Sequence, residues 1–203
     1  MSNIIWKRFT LNYLFTFDSS NQLPFTKKQL DVSDYKDDTY NIAVVTQSEK
    51  NNGISGYVER NSIDENKIMK NVMIYSLNFG TCFYQSDAFV LLDTHGSIFR
   101  LIAKEYGLRK ILEDDMIVGN FFAKMIMKIC KNGIYNYNWK PNSQRAGLEY
   151  ILLPCIEVKE NDEYIWEENG HYYTLAVEYI SYIYLDGRVR HNQKLIDNYT
   201  YHY

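Results

Sequence analysis

Residues 71–93 read NVMIYSLNFGTCFYQSDAFVLLD. Val72–Ser76 and Gly80–Tyr84 are short runs rich in β-branched and aromatic residues, and Asn78 and Gly80 between them supply turn chemistry. A third run, Ala88–Asp93, follows after the polar Gln85, Ser86 and Asp87. Short apolar runs separated by turn residues predict extended strands pairing antiparallel, because a helix needs an unbroken 3.6-residue period over more than about ten residues. This stretch sets the expectation for the fold: a β-rich, loop-rich domain.

The pattern extends upstream. Residues 44–60, VVTQSEKNNGISGYVER, place a polar loop between two further strands, Asn41–Thr46 and Gly56–Glu59. Asn51, Asn52 and Gly53 mark its turn, since Asn and Gly tolerate left-handed backbone. Residues 18–39 are polar and acidic and contain Pro24, which reads as loop. Trp6, Phe9, Tyr13 and Phe17 recur at spacings of three and four, which fits a short amphipathic helix, while the β-branched and aromatic content leaves strand open.

Downstream the period changes. Ile98, Leu101, Ile102 and Tyr106 have helical spacing, with Gly96 or Ser97 as a start and Gly107 as a stop. A second helix is expected from about Asn120 to Lys131. Phe121, Phe122, Met125, Ile126 and Ile129 form its apolar side, Lys124, Lys128 and Lys131 its basic side, and Gly133 its end. Residues 134–139 alternate as a strand, 140–147 are polar loop, and 150–153 form a strand closed by Pro154. Finally, Leu175, Tyr182, Leu185, Val189, Asn192, Ile196 and Tyr199 fall on a near-heptad stripe, which predicts a long helix able to pair with another helix. The expected architecture is α/β (α+β): a mostly antiparallel, twisted β-rich domain with flanking helices over residues 1–170. A long C-terminal helix over 171–203 would follow it.

Composition narrows the function. The chain has 203 residues, 46% of them hydrophobic, enough for a core of one domain with an appendage. Cys82, Cys130 and Cys155 are isolated, so three buried thiols in a reducing, cytoplasmic setting are expected rather than a disulfide framework. No apolar run reaches the roughly 20 residues of a membrane span. Net charge is −3, yet residues 100–145 hold nine Lys/Arg against four acids, and residues 146–174 hold seven acids against Lys159. Such asymmetry permits a basic face on an acidic body.

Catalytic signatures are missing from the sequence. There is no Gly-Lys-Ser/Thr phosphate loop and no G-x-G-x-x-G dinucleotide loop. The prolines are never adjacent, so the Asn/Asp-Pro-Pro-aromatic loop of amino-methyltransferases is absent, and none precedes Asp as in the common nuclease motif. His95, His171, His191 and His202 lack zinc-ligand spacing. Asp114–Asp115 reads as an acidic helix cap.

The order of motifs, rather than any single one, carries a family resemblance. Trp6–Phe15, then NNGISGYVER at 51–60, the aromatic-Tyr-Gln strand at 83–85, IYNYNWKPNSQRAGLEYILLP at 134–154 and YLDGRVRHNQKLIDNYTY at 184–201 follow one another. Together they resemble a target recognition domain and spacer helix of specificity subunits of type I, IIB or IIG restriction–modification systems. Typical type I subunits carry two such domains, and this chain has room for one. The resemblance therefore implies a half-subunit without catalytic activity. It would bind one half of a bipartite double-stranded DNA site and pair with a second copy or another half. It would also dock methyltransferase and endonuclease subunits. It implies no cofactor in this chain; S-adenosylmethionine, Mg2+ and ATP would belong to partner subunits.

Base edges are read by Asn, Gln, Arg and Lys, and phosphates are held by cations, hydroxyls and tyrosine. On that chemistry the expected DNA contacts fall in clusters. One is Thr46, Gln47, Ser48, Lys50, Asn51, Asn52, Tyr57 and Arg60; a second is Tyr84, Gln85 and Ser86. A third is Tyr135, Tyr137, Lys140, Asn142, Ser143, Gln144 and Arg145, with Lys124 and Lys128 adding helix charge. Two other functions fit the same composition: a specificity-subunit mimic that blocks assembly of a restriction complex, and a small nuclease using Asp87, Asp93 and Asp114.

Overall fold

The computed structural model describes residues 3–24, 26–92, 97–132 and 143–185. In chain order the elements are β1 (Ile4–Thr10), α1 (Leu11–Leu14), β2 (Phe15–Asp18), β3 (Gln22–Leu23), β4 (Tyr40–Val45) and β5 (Ile54–Glu59). There follow β6 (Val72–Ser76), β7 (Thr81–Gln85), β8 (Phe89–Leu92), β9 (Ile98–Ala103), α2 (Tyr106–Asp114) and α3 (Met116–Asn132). The last are α4 (Ser143–Gly147), β10 (Tyr150–Val158), β11 (Trp166–Glu168), β12 (His171–Leu175) and α5 (Val177–Leu185). The fold is mixed α/β with mostly antiparallel sheets. No helix among the described residues is long and apolar enough to cross a membrane.

Among the described residues, three four-stranded sheets form, in the orders β1-β10-β12-β11, β2-β9-β6-β7 and β3-β8-β4-β5. The quoted stretch supplies the β6–β7 hairpin, with Val72 opposite Gln85 and Ser76 opposite Thr81, closed by Gly80 at φ 59°. The β4–β5 hairpin forms around the expected polar loop. One expectation fails here: β8 lies parallel to both β3 and β4. The sequence holds the reason. IAVV in β4 and FVLL in β8 are unbroken apolar runs, buried on both faces, the usual pattern of strands covered on two sides.

The second sheet is the middle layer. Met73, Tyr75, Tyr84, Phe99 and Leu101 face a large core shared with α3 and with Phe9, Leu153 and Trp166 of the first sheet. On its other face Ile74 and Ile98 pack against Val45, Phe89 and Leu91 of the third sheet. Leu30, Val32, Ile63 and Ile68 cover the far side of that sheet.

Two helix readings are corrected. Residues 98–103 form β9, the strand between β2 and β6, and the helix starts only at Tyr106. The stretch from Trp6 to Phe17 is two strands around a single helical turn, in which Thr10 Oγ1 accepts from Tyr13 N at 3.3 Å. The helix expected near 120–131 is present and longer, as α3. Asp115 both ends α2, donating its N–H to Ile111, and caps α3, its Oδ1 accepting from Ile117 N at 2.8 Å. Cys82 and Cys155 are buried thiols, and burial pushes Cys155 up to about 12.

Of the long helix expected over 171–203, the start is corrected: His171–Leu175 is strand β12 and helix begins at Val177, while residues 186–203 lie outside the described residues. Leu175 is buried at the end of β12, and His171–Leu175 pairs with both β10 and β11. The boundary expected at residue 170 therefore falls inside a hairpin. Pro154 does not close its strand; it lies within β10, opposite Trp6. Its carbonyl accepts from Ala176 N at 2.9 Å, but it has no N–H to return to Ala176. The Ala176 carbonyl instead accepts from Ile180 N at 3.0 Å, which opens α5. A missing donor thus coincides with the switch from strand to helix. Leu185 is the last described residue of α5, and Val189, Asn192, Ile196 and Tyr199 lie outside the described residues.

Buried Glu149 precedes β10, and its Oε1 meets no hydrogen-bond partner among the described residues. Burial raises its pKa. A raised carboxyl costs nothing where both folded and unfolded forms are protonated. The penalty appears as pH rises through the ordinary carboxylate range, where the unfolded chain ionises first. Glu149→Met is therefore expected to stabilise the protein at pH 7, by about 1–2 kcal/mol, and by less at pH 4. Denaturant midpoints at the two pH values check this; equal gains would contradict it.

Candidate nucleic-acid interface

The loop between β4 and β5 has an unusual backbone. Asn51, Asn52 and Gly53 all have positive φ, at 48°, 51° and 79°. Consecutive left-handed residues cost little only for Gly and Asn, which accounts for the composition. Thr46 N donates to Gly53 O at 2.9 Å, so the loop closes on itself. Ser48 Oγ accepts from Lys50 N at 3.1 Å, and Asn51 Nδ2 donates to Ile54 O at 3.3 Å.

Two further contacts fix the loop against the β6–β7 hairpin. Buried Gln85 donates from Nε2 to Asn52 O at 2.6 Å. At the other end of β7, Asn78 in the hairpin turn bonds Gln47 Oε1. The loop therefore lies along β7, the edge strand of the middle sheet, and covers a row of backbone groups that would otherwise invite strand addition. Lys50 and Asn52 remain exposed at its tip, with Thr46, Gln47 and Ser48 half-exposed.

The expected contacts sort accordingly. Gln85 belongs with the loop, but as a strut whose amide is spent on Asn52 rather than offered outward. Ser86 is exposed beside it. Tyr84 is buried; its hydroxyl donates to Leu112 O at 2.7 Å, and burial, with Asp115, Glu113 and Asp114 nearby, raises it to about 12. That corrects its assignment as a DNA contact: on β7, Cys82 and Tyr84 share the core-facing side. Arg60 follows β5 at the end away from the loop tip, about 20 Å along a six-residue strand, and pairs with Glu65. Tyr57 is half-buried at a bridge to Ser33.

The third cluster sits elsewhere. Ser143, Gln144 and Arg145 lie on α4, which approaches α1 so closely that a Cβ on Gly147 would stand 1.9 Å from Asn12 Oδ1. Ser143 and Gln144 line a shallow groove with Thr16, Phe17 and Lys104, at the β2 edge of the middle sheet. The loop along β7 is at the opposite edge, three strand spacings or about 14 Å away. Tyr135, Tyr137, Lys140 and Asn142 lie outside the described residues. Lys124 is exposed on α3 but sits over the Tyr184 ring of α5 at 4.5 Å, and half-buried Lys128 is lowered by desolvation. Tyr182 is exposed on α5.

What the sequence reading missed is a second basic site. Lys70, Arg100 and Arg109 are far apart in the chain but line one notch beside β6. A signal existed: Arg100 interrupts the apolar run IFRLIA, and a cation there needs a partner, which is Asp18. Among the described residues, no group of three or more His, Cys, Asp or Glu could hold a metal ion. The chain matches no family model, no curated protein and no solved structure.

Proposed function

We propose that the chain is a non-catalytic DNA sequence-recognition module, comparable to one half of a restriction–modification specificity subunit. The observation that carries this reading is the 46–53 loop. It is pinned to the β6–β7 hairpin through the Asn52 carbonyl on Gln85 and the Gln47 side chain on Asn78, while Lys50 and Asn52 are exposed at its tip. A loop already held in place loses little entropy on binding. Asn can pair bidentately with adenine, and Lys can pair with guanine or a phosphate. The motif order from Trp6 to Tyr201 supports the same reading. The resemblance extends it to a pairing of two halves on a bipartite site and to methyltransferase partners that hold S-adenosylmethionine, Mg2+ and ATP.

Salt dependence tests the DNA arm. Affinity for duplex should fall steeply between about 50 and 200 mM salt as phosphate contacts release counterions, and Lys50→Ala should flatten the slope by about one unit if that side chain holds a phosphate. Gln85→Ala should weaken binding by loosening the loop while leaving base preference as it was. An affinity indifferent to salt would overturn the proposal.

A further inference from the structure

β9 runs to Ala103, but its pairing with β6 stops at Met73 opposite Leu101. The chain turns away before β6 at Asn71, whose φ is 54°. A notch of about 340 Å3 remains between β6, β9 and α2, within the range of small-molecule sites, about 300–1,000 Å3. Its lining is as polar as it is apolar: half-buried Val72 and Ile102 supply accessible apolar surface, Met73, Leu101 and Leu112 are nearly fully buried, and Lys70, Arg100 and Arg109 supply the cations.

The two guanidinium groups are fixed by the fold. The Ala103 carbonyl, left without a β6 partner, accepts from Arg109 Nε at 3.0 Å and Nη2 at 2.9 Å. Arg100 spends Nε on Asp18 and directs Nη1 to Met69 Sδ at 3.8 Å. Among the described residues, Arg109 Nη1 and Arg100 Nη2 are left unspent, and Lys70 is exposed beside them. Glu113 is the acid of the lining. Within the lining three cations stand against the one carboxylate of Glu113, while outside it Asp18 pairs with Arg100 and Asp114 and Asp115 lie near Tyr84.

We infer that this notch binds a small phosphate-bearing ligand, of about the size of a nucleoside monophosphate. Each held guanidinium keeps one nitrogen for a charge-assisted hydrogen bond to a phosphate oxygen, and Val72 and Ile102 offer apolar surface to the rest of the ligand. The assignment is independent of the DNA reading.

Calorimetric titration of the full chain with adenosine monophosphate tests it, beside adenosine and inorganic phosphate. Saturable binding of the monophosphate is expected, with adenosine about tenfold weaker for want of a charge-assisted bond. Arg109→Gln should weaken the monophosphate about tenfold, and Lys70→Glu, at an exposed site that leaves the fold intact, several-fold. Inorganic phosphate should compete. Absence of saturable binding, or equal affinity in Lys70→Glu and the unaltered chain, would overturn the inference. So would sensitivity of a short duplex, but not of the monophosphate, to Lys70→Glu, since that would make the notch a contact for nucleic-acid backbone.

Discussion

Replacement of Phe122 by alanine should lower the unfolding free energy by about 3–5 kcal/mol. The Phe122 ring is fully buried on α3, edge-on to Phe15 of β2 at 6.1 Å and to Phe121 at 6.2 Å. It belongs to the core that joins the first two sheets through α3. Removal of the ring forfeits its transfer energy and leaves a cavity that the surrounding strands cannot fill, because β2 is held by β9 on one side. A domain of this size has about 5–15 kcal/mol in total, so the variant should lie close to unfolding at room temperature. Phe122→Leu, which keeps most of the volume, should cost far less. Denaturant unfolding of both variants measures this. A loss below about 1 kcal/mol for alanine would mean that α3 does not plug the core as described.

Gly119→Ala should destabilise, and the sign is the informative part. On helix propensity alone, alanine in place of glycine gains about 1 kcal/mol. A Cβ at Gly119 would, however, stand 2.3 Å from Tyr84 Cε2 and 2.4 Å from its Cδ2, well inside contact distance. The ring cannot retreat easily, because it is buried and its hydroxyl is held by the Leu112 carbonyl. A net loss of about 2–3 kcal/mol is expected from overpacking. A double-mutant cycle isolates the cause. In a Tyr84→Ala background the clash disappears, and Gly119→Ala should turn neutral or stabilising. Stabilisation by Gly119→Ala in the otherwise unaltered chain would show that α3 and β7 are not in contact here.

Hairpins β4–β5 and β6–β7 could be read because their turn residues, Asn52–Gly53 and Asn78–Gly80, mark positions of left-handed backbone or tight reversal locally. The helix α3 could be read because its apolar stripe is long. β9 could not, since apolar residues stand on both faces of this central strand although Arg100 and Ile102 are only half-buried, and Ile98, Leu101 and Ile102 imitate helical spacing. The parallel pairing of β8 with β3 and β4 depends on contacts 69 and 46 residues apart in sequence and leaves no local trace.

The candidate site divides in the same way. The polar loop at 46–53 was visible as a cluster of hydrogen-bonding residues, but a residue type does not say which way it is spent. Gln47, Ser48, Asn51 and Gln85 turn part of that capacity inward to hold the loop, whereas Lys50 and Asn52 face solvent. Tyr84 looked equivalent to its neighbours until pleat alternation placed it against Gly119. The notch formed by Lys70, Arg100 and Arg109 exists only because β6 starts late relative to β9.

Sequence discrimination by Asn52 tests the DNA account most directly. A duplex selected by the protein from a randomised pool would be compared with a scrambled duplex of equal length and charge, at one salt concentration, for the unaltered chain and for Asn52→Ala. The account predicts tighter binding of the selected duplex by the unaltered chain. It also predicts that Asn52→Ala narrows that preference by about 1–3 kcal/mol while leaving scrambled-duplex affinity nearly unchanged. Equal binding of both duplexes by the unaltered chain would contradict it, as would a preference that Asn52→Ala does not alter.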